Sequence, residues 1–393
     1  MKIQDFSPKA PGQIIQTKKD YQAFIPNPLP PGLEWSAALI SLLSEADRAV
    51  AKLAEIGRGS SMPTLLIKPF IHREAVSSSR IEGTRTTLRE LYAYGAKQLS
   101  FLEDEHDAQE VQNYIHALEY GLNRLDSFPV SLRLITELHE KLMQGVRGDF
   151  WTPGEFRRSQ NWIGPPGSSL ATATYVPPPV DEMKTCLFAL ENFIHATSDL
   201  PPLIRLGLIH YQFEAIHPFL DGNGRIGRLL ISLLLAEWGL LPQPWLHLSR
   251  FVELHRLEYY RLLLAVSQKG SWEEWLIFFL TGVQEQAQKA GIRIQSLIAL
   301  RATYLQKLEN ERNYDRLEKA IDFLFEKPVL SVRDLETGLV LGNYMTAQRL
   351  VEKLEAHSIL EEITGMSRNR VYQAEGILRR IDAPVEELTL MDQ

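Results

Sequence analysis

The chain has 393 residues, 45% of them hydrophobic and 23% charged, and its 49 acidic residues against 42 Lys and Arg give a formal net charge of −7. That length exceeds one ordinary domain, the composition suits a globular protein with a large core, and the acidic balance argues against bulk nucleic-acid binding. A single cysteine, Cys186, excludes a disulfide framework and a Cys-based zinc site within the chain, and reads as filler on a helix.

The opening, MKIQDFSPKAPGQ, lacks the apolar core of a signal peptide. Residues 1–35 are rich in Pro and polar residues and read as an extended arm. From Ser36 the apolar spacing becomes helical through Leu39, Leu42, Leu43, Ala46, Val50 and Leu53. Further helices are expected around 66–82, 106–125, 130–145 and 180–197. The run 203–216 is apolar on most sides and should lie in a core. Between these, 159–178 has two β-prone pieces around a Pro/Gly/Ser tip and predicts a hairpin. Helices near 226–239, 250–267 and 271–309 follow. The apolar run 229–241 contains Glu237 and is too short to span a bilayer, so a cytoplasmic protein without membrane contact is expected. The last segment reads as two helices joined by a tight turn and then a β-hairpin, the order of a helix-turn-helix with a wing. No repeat of 20–50 residues is present.

The densest chemistry lies in HPFLDGNGRIGR, residues 217–228. Gly222, Gly224 and Gly227 fit the spacing of a dinucleotide fingerprint, but that fingerprint must follow a strand in a βαβ unit, and here it follows a helix and a His-Pro turn. The Walker pattern and an EF-hand ligand run are both absent. Phosphate chemistry still fits. Gly222, Asn223 and Gly224 can turn successive N–H groups into an anion-binding nest, and the helix starting near Arg225 aims its positive end at the same point. Arg225 and Arg228, three apart, can flank one polyphosphate. Asp221 can hold a Mg²⁺ that also bridges phosphate oxygens. His217, four residues upstream of Asp221, is the only base of the group that titrates near neutrality. Each piece alone has a plainer explanation as a surface turn, a helix stop or a solvated face. Their coincidence in twelve positions points to phosphoryl or nucleotidyl transfer.

The same twelve residues resemble the Fic-family signature His-Pro-Phe-x-Asp/Glu-Gly-Asn-Gly-Arg-x-x-Arg without departure. The resemblance implies a mainly α fold and transfer of AMP from ATP to a Ser, Thr or Tyr hydroxyl of a target protein, with pyrophosphate released. It implies His217 as the base, Asp221 as the Mg²⁺ ligand, and Arg225 and Arg228 as catalytic cations, with Arg228 on the γ-phosphate. Gly222, Asn223, Gly224, Ile226 and Gly227 would complete the nucleotide-binding run, and Phe219 would anchor the loop. SSRIEG, from Ser78 to Gly83, resembles the family's inhibitory motif: Ser78 and Glu82 share a helical face, and Glu82 could pair with Arg228 in the γ-phosphate seat. The 159–178 hairpin matches in position the family's flap, with Ile163 and Tyr175 as contacts for the target segment. Tyr260 resembles the family tyrosine near the adenosine.

The resemblance divides the chain into residues 1–110 carrying the inhibitory helix, a Fic core at 111–285, a helical linker at 286–314 and a winged-helix domain at 315–393. Between Asp315 and Asp382 ten Lys and Arg face twelve Asp and Glu, so DNA binding by the tail is not favoured over a protein contact or a homodimer. A self-inhibited protein adenylyltransferase, able also to modify itself, is the leading expectation. The alternatives are a nucleotide-sensing transcription regulator and a bifunctional enzyme in which Glu82 orients water to remove AMP.

Overall fold

The structure is a computed structural model, and it describes residues 1–59, 63–95, 104–145, 152–366 and 368–391. After a 3-10 turn at Ile3–Asp5, β1 (Gly12–Gln16) and β2 (Gln22–Pro26) form a hairpin. Among the described residues eleven helices follow: α1 (Ala37–Gly59), α2 (Pro63–Glu82), α3 (Leu88–Gly95), α4 (Glu105–Leu125), α5 (Leu132–Leu142), α6 (Val180–His195), α7 (Pro202–Ile216), α8 (Asn223–Glu237), α9 (Leu248–Leu254), α10 (Arg256–Lys269) and α11 (Trp272–Leu308). The tail adds α12 (Tyr314–Glu326), β3 (Val329–Ser331), α13 (Val332–Gly338), α14 (Tyr344–Ala356), β4 (Glu361–Glu362), β5 (Val371–Gln373), α15 (Glu375–Asp382) and α16 (Val385–Met391). The expected mainly α fold is therefore present.

Local chemistry explains the helix starts nearest the site. Asp104 accepts the N–H groups of His106 and Asp107 at the head of α4, and Ser131 accepts that of Leu134 at the head of α5. Helix α7 is buried almost all round, as its unbroken apolar run requires, and packs on α6, α8 and α11. Gly121 of α4 meets Leu233 of α8 and Leu138 of α5 so closely that a β-carbon there would approach within 2.9 Å and 3.0 Å of their methyls, which lets three helices converge behind the motif.

Three expectations are corrected. The N-terminal arm pairs as β1 with β2, in the register Gln13 to Ile25 and Ile14 to Phe24, and the Phe24 N–H donates to the Val176 carbonyl. The 159–178 segment makes one isolated bridge, Ile163 to Tyr175, in place of a two-stranded ladder. Pro165, Pro166, Pro177 and Pro178 lack the N–H donors that would extend it. The helix expected over 250–267 breaks at His255 into α9 and α10.

In the tail, β3, β5 and β4 form a three-stranded antiparallel sheet in that order, with α13 and α14 between β3 and β4. Helix α11 runs unbroken across the 285/286 boundary. One continuous set of buried residues joins core and tail, from Phe24 to Ile381. Arg293 of α11 donates to the carbonyls of Arg380, Ile381 and Ala383 and so caps the end of α15.

Candidate active site

Helix α7 ends in His217, whose left-handed backbone (φ 49°, ψ 61°) turns the chain out of the helix. Gly222, also left-handed (φ 77°), turns it into α8, which begins at Asn223, two residues earlier than the sequence suggests. Between them Phe219 is fully buried and stacks on the His139 ring at 3.8 Å. The Asn223 side chain closes the loop on itself: its Oδ1 accepts the Phe219 N–H and its Nδ2 donates to the Phe219 carbonyl.

Side chains from outside the motif hold the loop carbonyls. Arg157 Nε donates to His217 O at 3.0 Å, and Asn161 Nδ2 donates to His217 O at 3.1 Å and to Phe219 O at 2.7 Å. The Arg157 N–H reaches Pro218 O at 2.9 Å, and His139 Nε2 reaches Asp221 O at 3.1 Å. Arg157 also donates to the carbonyls of Ser159 and Pro178, which ties the loop to the base of the flap segment. Sequence reasoning passed over His139, Arg157 and Asn161. They carry no periodic or motif signal, and His139 adds a second imidazole to a site where one was expected. Burial pushes His139 down to about 4.

The first-turn N–H groups of α8, from Asn223 to Arg225, have no helical partners and stand at the head of the helix dipole. Asn223 can offer a ligand only its backbone N–H, because its side chain is buried, and Ile226, also buried, has its N–H taken by the Gly222 carbonyl at 3.0 Å. The Gly222 N–H is already donated to Asp221 Oδ1 at 2.6 Å. The buried Arg225 guanidinium pairs with Glu110 of α4 at 2.9 Å and lies 3.7 Å from Asp221. Glu110 is a further partner the sequence did not reveal.

The Arg228 side chain is 2% exposed and is held by α2. Its Nε donates to Ser78 Oγ and its Nη2 to Ser78 O, both at 2.9 Å, and Nη2 meets Glu82 Oε1 at 2.6 Å. Glu82 is the last residue of α2, and Gly83 (φ 115°) stops the helix. A β-carbon at Gly224 would strike the Glu82 carboxylate, so that carboxylate rests against the mouth of α8. Burial raises the Glu82 carboxyl, but the Arg228 guanidinium outweighs it and the net shift is downward. For Arg228, burial disfavours the charge and Glu82 restores it, leaving the guanidinium protonated. A second carboxylate, Glu214 of α7, lies against Gly227 with its Oε1 lacking a hydrogen-bond partner among the described residues, and burial lifts it to about 7.

His217 Nδ1 lies 3.2 Å from the Glu214 carbonyl, which can only accept, so the ring proton sits on Nδ1 and Nε2 keeps a lone pair. Burial lowers this imidazole to about 4, partly offset by the Glu214 carbonyl, and it is neutral at pH 7. Tyr260 of α10 is 41% exposed, with the Arg256 guanidinium 5.7 Å from its ring centre. In the flap segment Ile163 is 39% exposed, whereas Tyr175 is 6% exposed and donates its hydroxyl to Ala215 O at 2.8 Å. This corrects the expectation for Tyr175: its side chain anchors the segment to α7 and cannot meet a target. The exposed Trp162 stands beside Ile163 in its place.

Asp221 fits a hard cation in part by itself. Its side chain is half-exposed beside the phosphate-binding turn, yet among the described residues no three His, Cys, Asp or Glu gather to form a complete metal site. Mg²⁺ suits such a place, because it takes one or two carboxylates and completes its shell with phosphate oxygens and water. A separate groove of about 780 Å³, between Pro28–Glu34 and the α10–α11 junction, shares no residue with this site. Among the described residues no helix is long and apolar enough to cross a membrane.

A helical scaffold that presents an anion-binding turn at a helix head, flanked by two buried arginines and a neutral histidine, defines a phosphate-handling class of protein. Residues 40–123 match the Fic/DOC family N-terminal region and residues 129–235 match the Fic/DOC family, so the chain carries a Fic domain preceded by the family's N-terminal region. Among its relatives is the protein adenylyltransferase Fic of Drosophila willistoni, 29% identical over 210 residues, 51% of this chain and 39% of that protein. The protein of the same name from Drosophila virilis is 32% identical over 162 residues, 40% of this chain and 30% of that protein. The matches thus span well under half the length of these relatives. In fold, the chain resembles a Fic family protein from Desulfovibrio desulfuricans G20 (TM-score 0.57, 21% identity, 88% of this chain and 98% of that one). It also resembles Fic-1 from C. elegans (TM-score 0.52, 20% identity, 67% and 74%).

Proposed function

We propose that the chain is a self-inhibited protein adenylyltransferase that moves AMP from ATP to a side-chain hydroxyl of a protein. The observation that carries this reading is the Glu82 to Arg228 pair at 2.6 Å, a carboxylate on the cation that a terminal phosphate would need, at the mouth of an anion-binding turn.

In this account the phosphates lie against the N–H groups of Asn223 to Arg225, with Arg225 and Arg228 as the cations beside them. Mg²⁺, when bound, neutralises phosphate oxygens, and Asp221 is the residue that would hold it. His217 Nε2 takes the proton of the target hydroxyl. The hydroxyl oxygen bonds to the α-phosphorus, the bond to the bridging α–β oxygen breaks, and pyrophosphate leaves. Negative charge grows on the leaving oxygens, so the arginines and the helix head stabilise the transition state more than the ground state. Tyr260 borders the nucleoside, and Ile163 with Trp162 presents the edge that receives the target segment. With Glu82 on Arg228, ATP binds with its phosphates off the in-line path, which lowers transfer without requiring loss of ATP affinity.

The test is to incubate the chain with α-labelled ATP, Mg²⁺ and a cell lysate, and to identify the labelled residue by mass spectrometry. AMP on a Ser, Thr or Tyr hydroxyl, absent with His217→Ala, is the expected result. ATP turnover without any AMP–protein product contradicts the proposal.

A further inference from the structure

His139 lies outside the motif, is fully buried, and meets the loop at two points, stacking on Phe219 and bonding to the Asp221 carbonyl. Its Nδ1 accepts the Gly154 N–H at 3.0 Å, so the ring proton sits on Nε2 and is donated to the Asp221 carbonyl at 3.1 Å. The peptide from Asp221 to Gly222 is trans. Drawing its carbonyl toward α5 therefore turns the Gly222 N–H to the opposite side. There it meets Asp221 Oδ1 at 2.6 Å. The ring also backs Gly222 itself, since a β-carbon at that glycine would come within 3.4 Å of His139 Cδ2. One imidazole thus fixes a single peptide plane, and that plane holds one oxygen of the Asp221 carboxylate.

We propose that His139 is the positioning residue for the Asp221 carboxylate: acting through the 221–222 peptide, it sets the direction in which that carboxylate faces Mg²⁺. The inference rests on the adenylyltransferase reading for the role of Asp221. Fully buried behind the loop, His139 would act only through that peptide. Outer partners of this kind matter because a carboxylate free to rotate loses part of its metal affinity, typically roughly 10–100-fold when such a partner is removed.

Two roles of the ring can be separated. His139→Phe keeps the stack on Phe219 and removes both hydrogen bonds, while His139→Gln can donate to the Asp221 carbonyl without the ring. In the Glu82→Gly background, His139→Phe should raise the Mg²⁺ concentration for half-maximal AMP transfer by roughly 10-fold or more. Saturating Mg²⁺ should restore most of the rate, and His139→Gln should recover part of the Mg²⁺ affinity. By calorimetry, the gain in ATP affinity on adding Mg²⁺ should shrink in His139→Phe, with metal-free ATP affinity unchanged. In the unmutated chain, ¹⁵N NMR should find the proton of this imidazole on Nε2.

An unchanged Mg²⁺ dependence in a folded His139→Phe, or a rate loss equal at all Mg²⁺ concentrations, overturns the proposal and leaves the ring a packing element. So does the opposite tautomer, which can be read even where the variants do not fold. If Glu82→Gly itself transfers no AMP, the adenylyltransferase reading fails separately, and the ATP–Mg²⁺ titrations still decide whether His139 governs Asp221.

Discussion

The Glu82 carboxylate and the Arg228 guanidinium meet at 2.6 Å although 146 positions separate them in the chain. The arginine is 2% exposed and the glutamate 34%, so one partner is fixed in the core and the other stands at the entrance. Removing the carboxylate with nothing in its place would leave a buried cation uncompensated, which is costly. A terminal phosphate is a natural replacement. The two contacts from Ser78 are neutral and can remain while Glu82 gives way. The pair is therefore an exchangeable one.

His217→Ala should lower AMP transfer by roughly 10²–10⁴-fold, the usual cost of losing a general base. ATP affinity should stay within a few-fold, because the imidazole supplies no phosphate contact in this account. Single-turnover rates beside a nucleotide-binding titration separate the two effects.

The pH profile carries a sign that can be checked. Burial depresses the His217 imidazole to about 4, so the base form is fully present above that value and is lost as pH falls through it. Glu82 raises this imidazole, so Glu82→Gly moves the acid limb further down. Transfer by Glu82→Gly should thus hold level down past the ordinary histidine range near 6.5, with circular dichroism in the same buffers to confirm folding. An acid limb at 6.5 or above contradicts the environment described for His217.

Asp221→Ala should raise the Mg²⁺ requirement sharply, since it removes the half-exposed carboxylate beside the phosphate-binding turn. A Mg²⁺ titration of the rate reports this directly. An unchanged half-saturation point would reject Asp221 as the ligand.

The tail should not bind duplex DNA tightly. Its charge balance is slightly acidic, and the exposed start of α14 carries Tyr344 and Met345. Non-specific affinity for DNA comes chiefly from Lys and Arg on phosphates. Anisotropy with the full chain and mixed-sequence duplex at moderate salt should give binding weaker than micromolar. Sub-micromolar binding with a steep salt slope would favour a transcription regulator.

What the sequence revealed of the site follows from how its residues are spaced. Residues 217–228 are consecutive, so the loop and helix head could be read in one string. Ser78 and Glu82 share a helical face, and the structure places both on Arg228. His139, Arg157, Asn161 and Glu110 reach the site from separate segments, and nothing local marks them as partners of a distant carbonyl or guanidinium. Tyr175 is assigned to the target only by the position of its segment in the flap, and position does not fix the side its ring takes, which here is inward onto α7. The β1–β2 hairpin hid in a Pro-rich stretch as two five-residue runs. The break at His255 was invisible because apolar spacing continues across it.

On the proposed reading, Glu82 restrains an AMP transfer for which His217 and Arg228 are required. The most direct measurement compares protein-linked label from α-labelled ATP for the unmutated chain, Glu82→Gly, and Glu82→Gly combined with Arg228→Ala, at matched ATP and Mg²⁺. Misplacement of a reactant can cost about 10²-fold, so releasing it should raise labelling by roughly an order of magnitude or more in Glu82→Gly. The added Arg228→Ala should abolish that gain. Labelling by Glu82→Gly no greater than that of the unmutated chain would contradict the account and reduce the Glu82 to Arg228 pair to a structural ion pair.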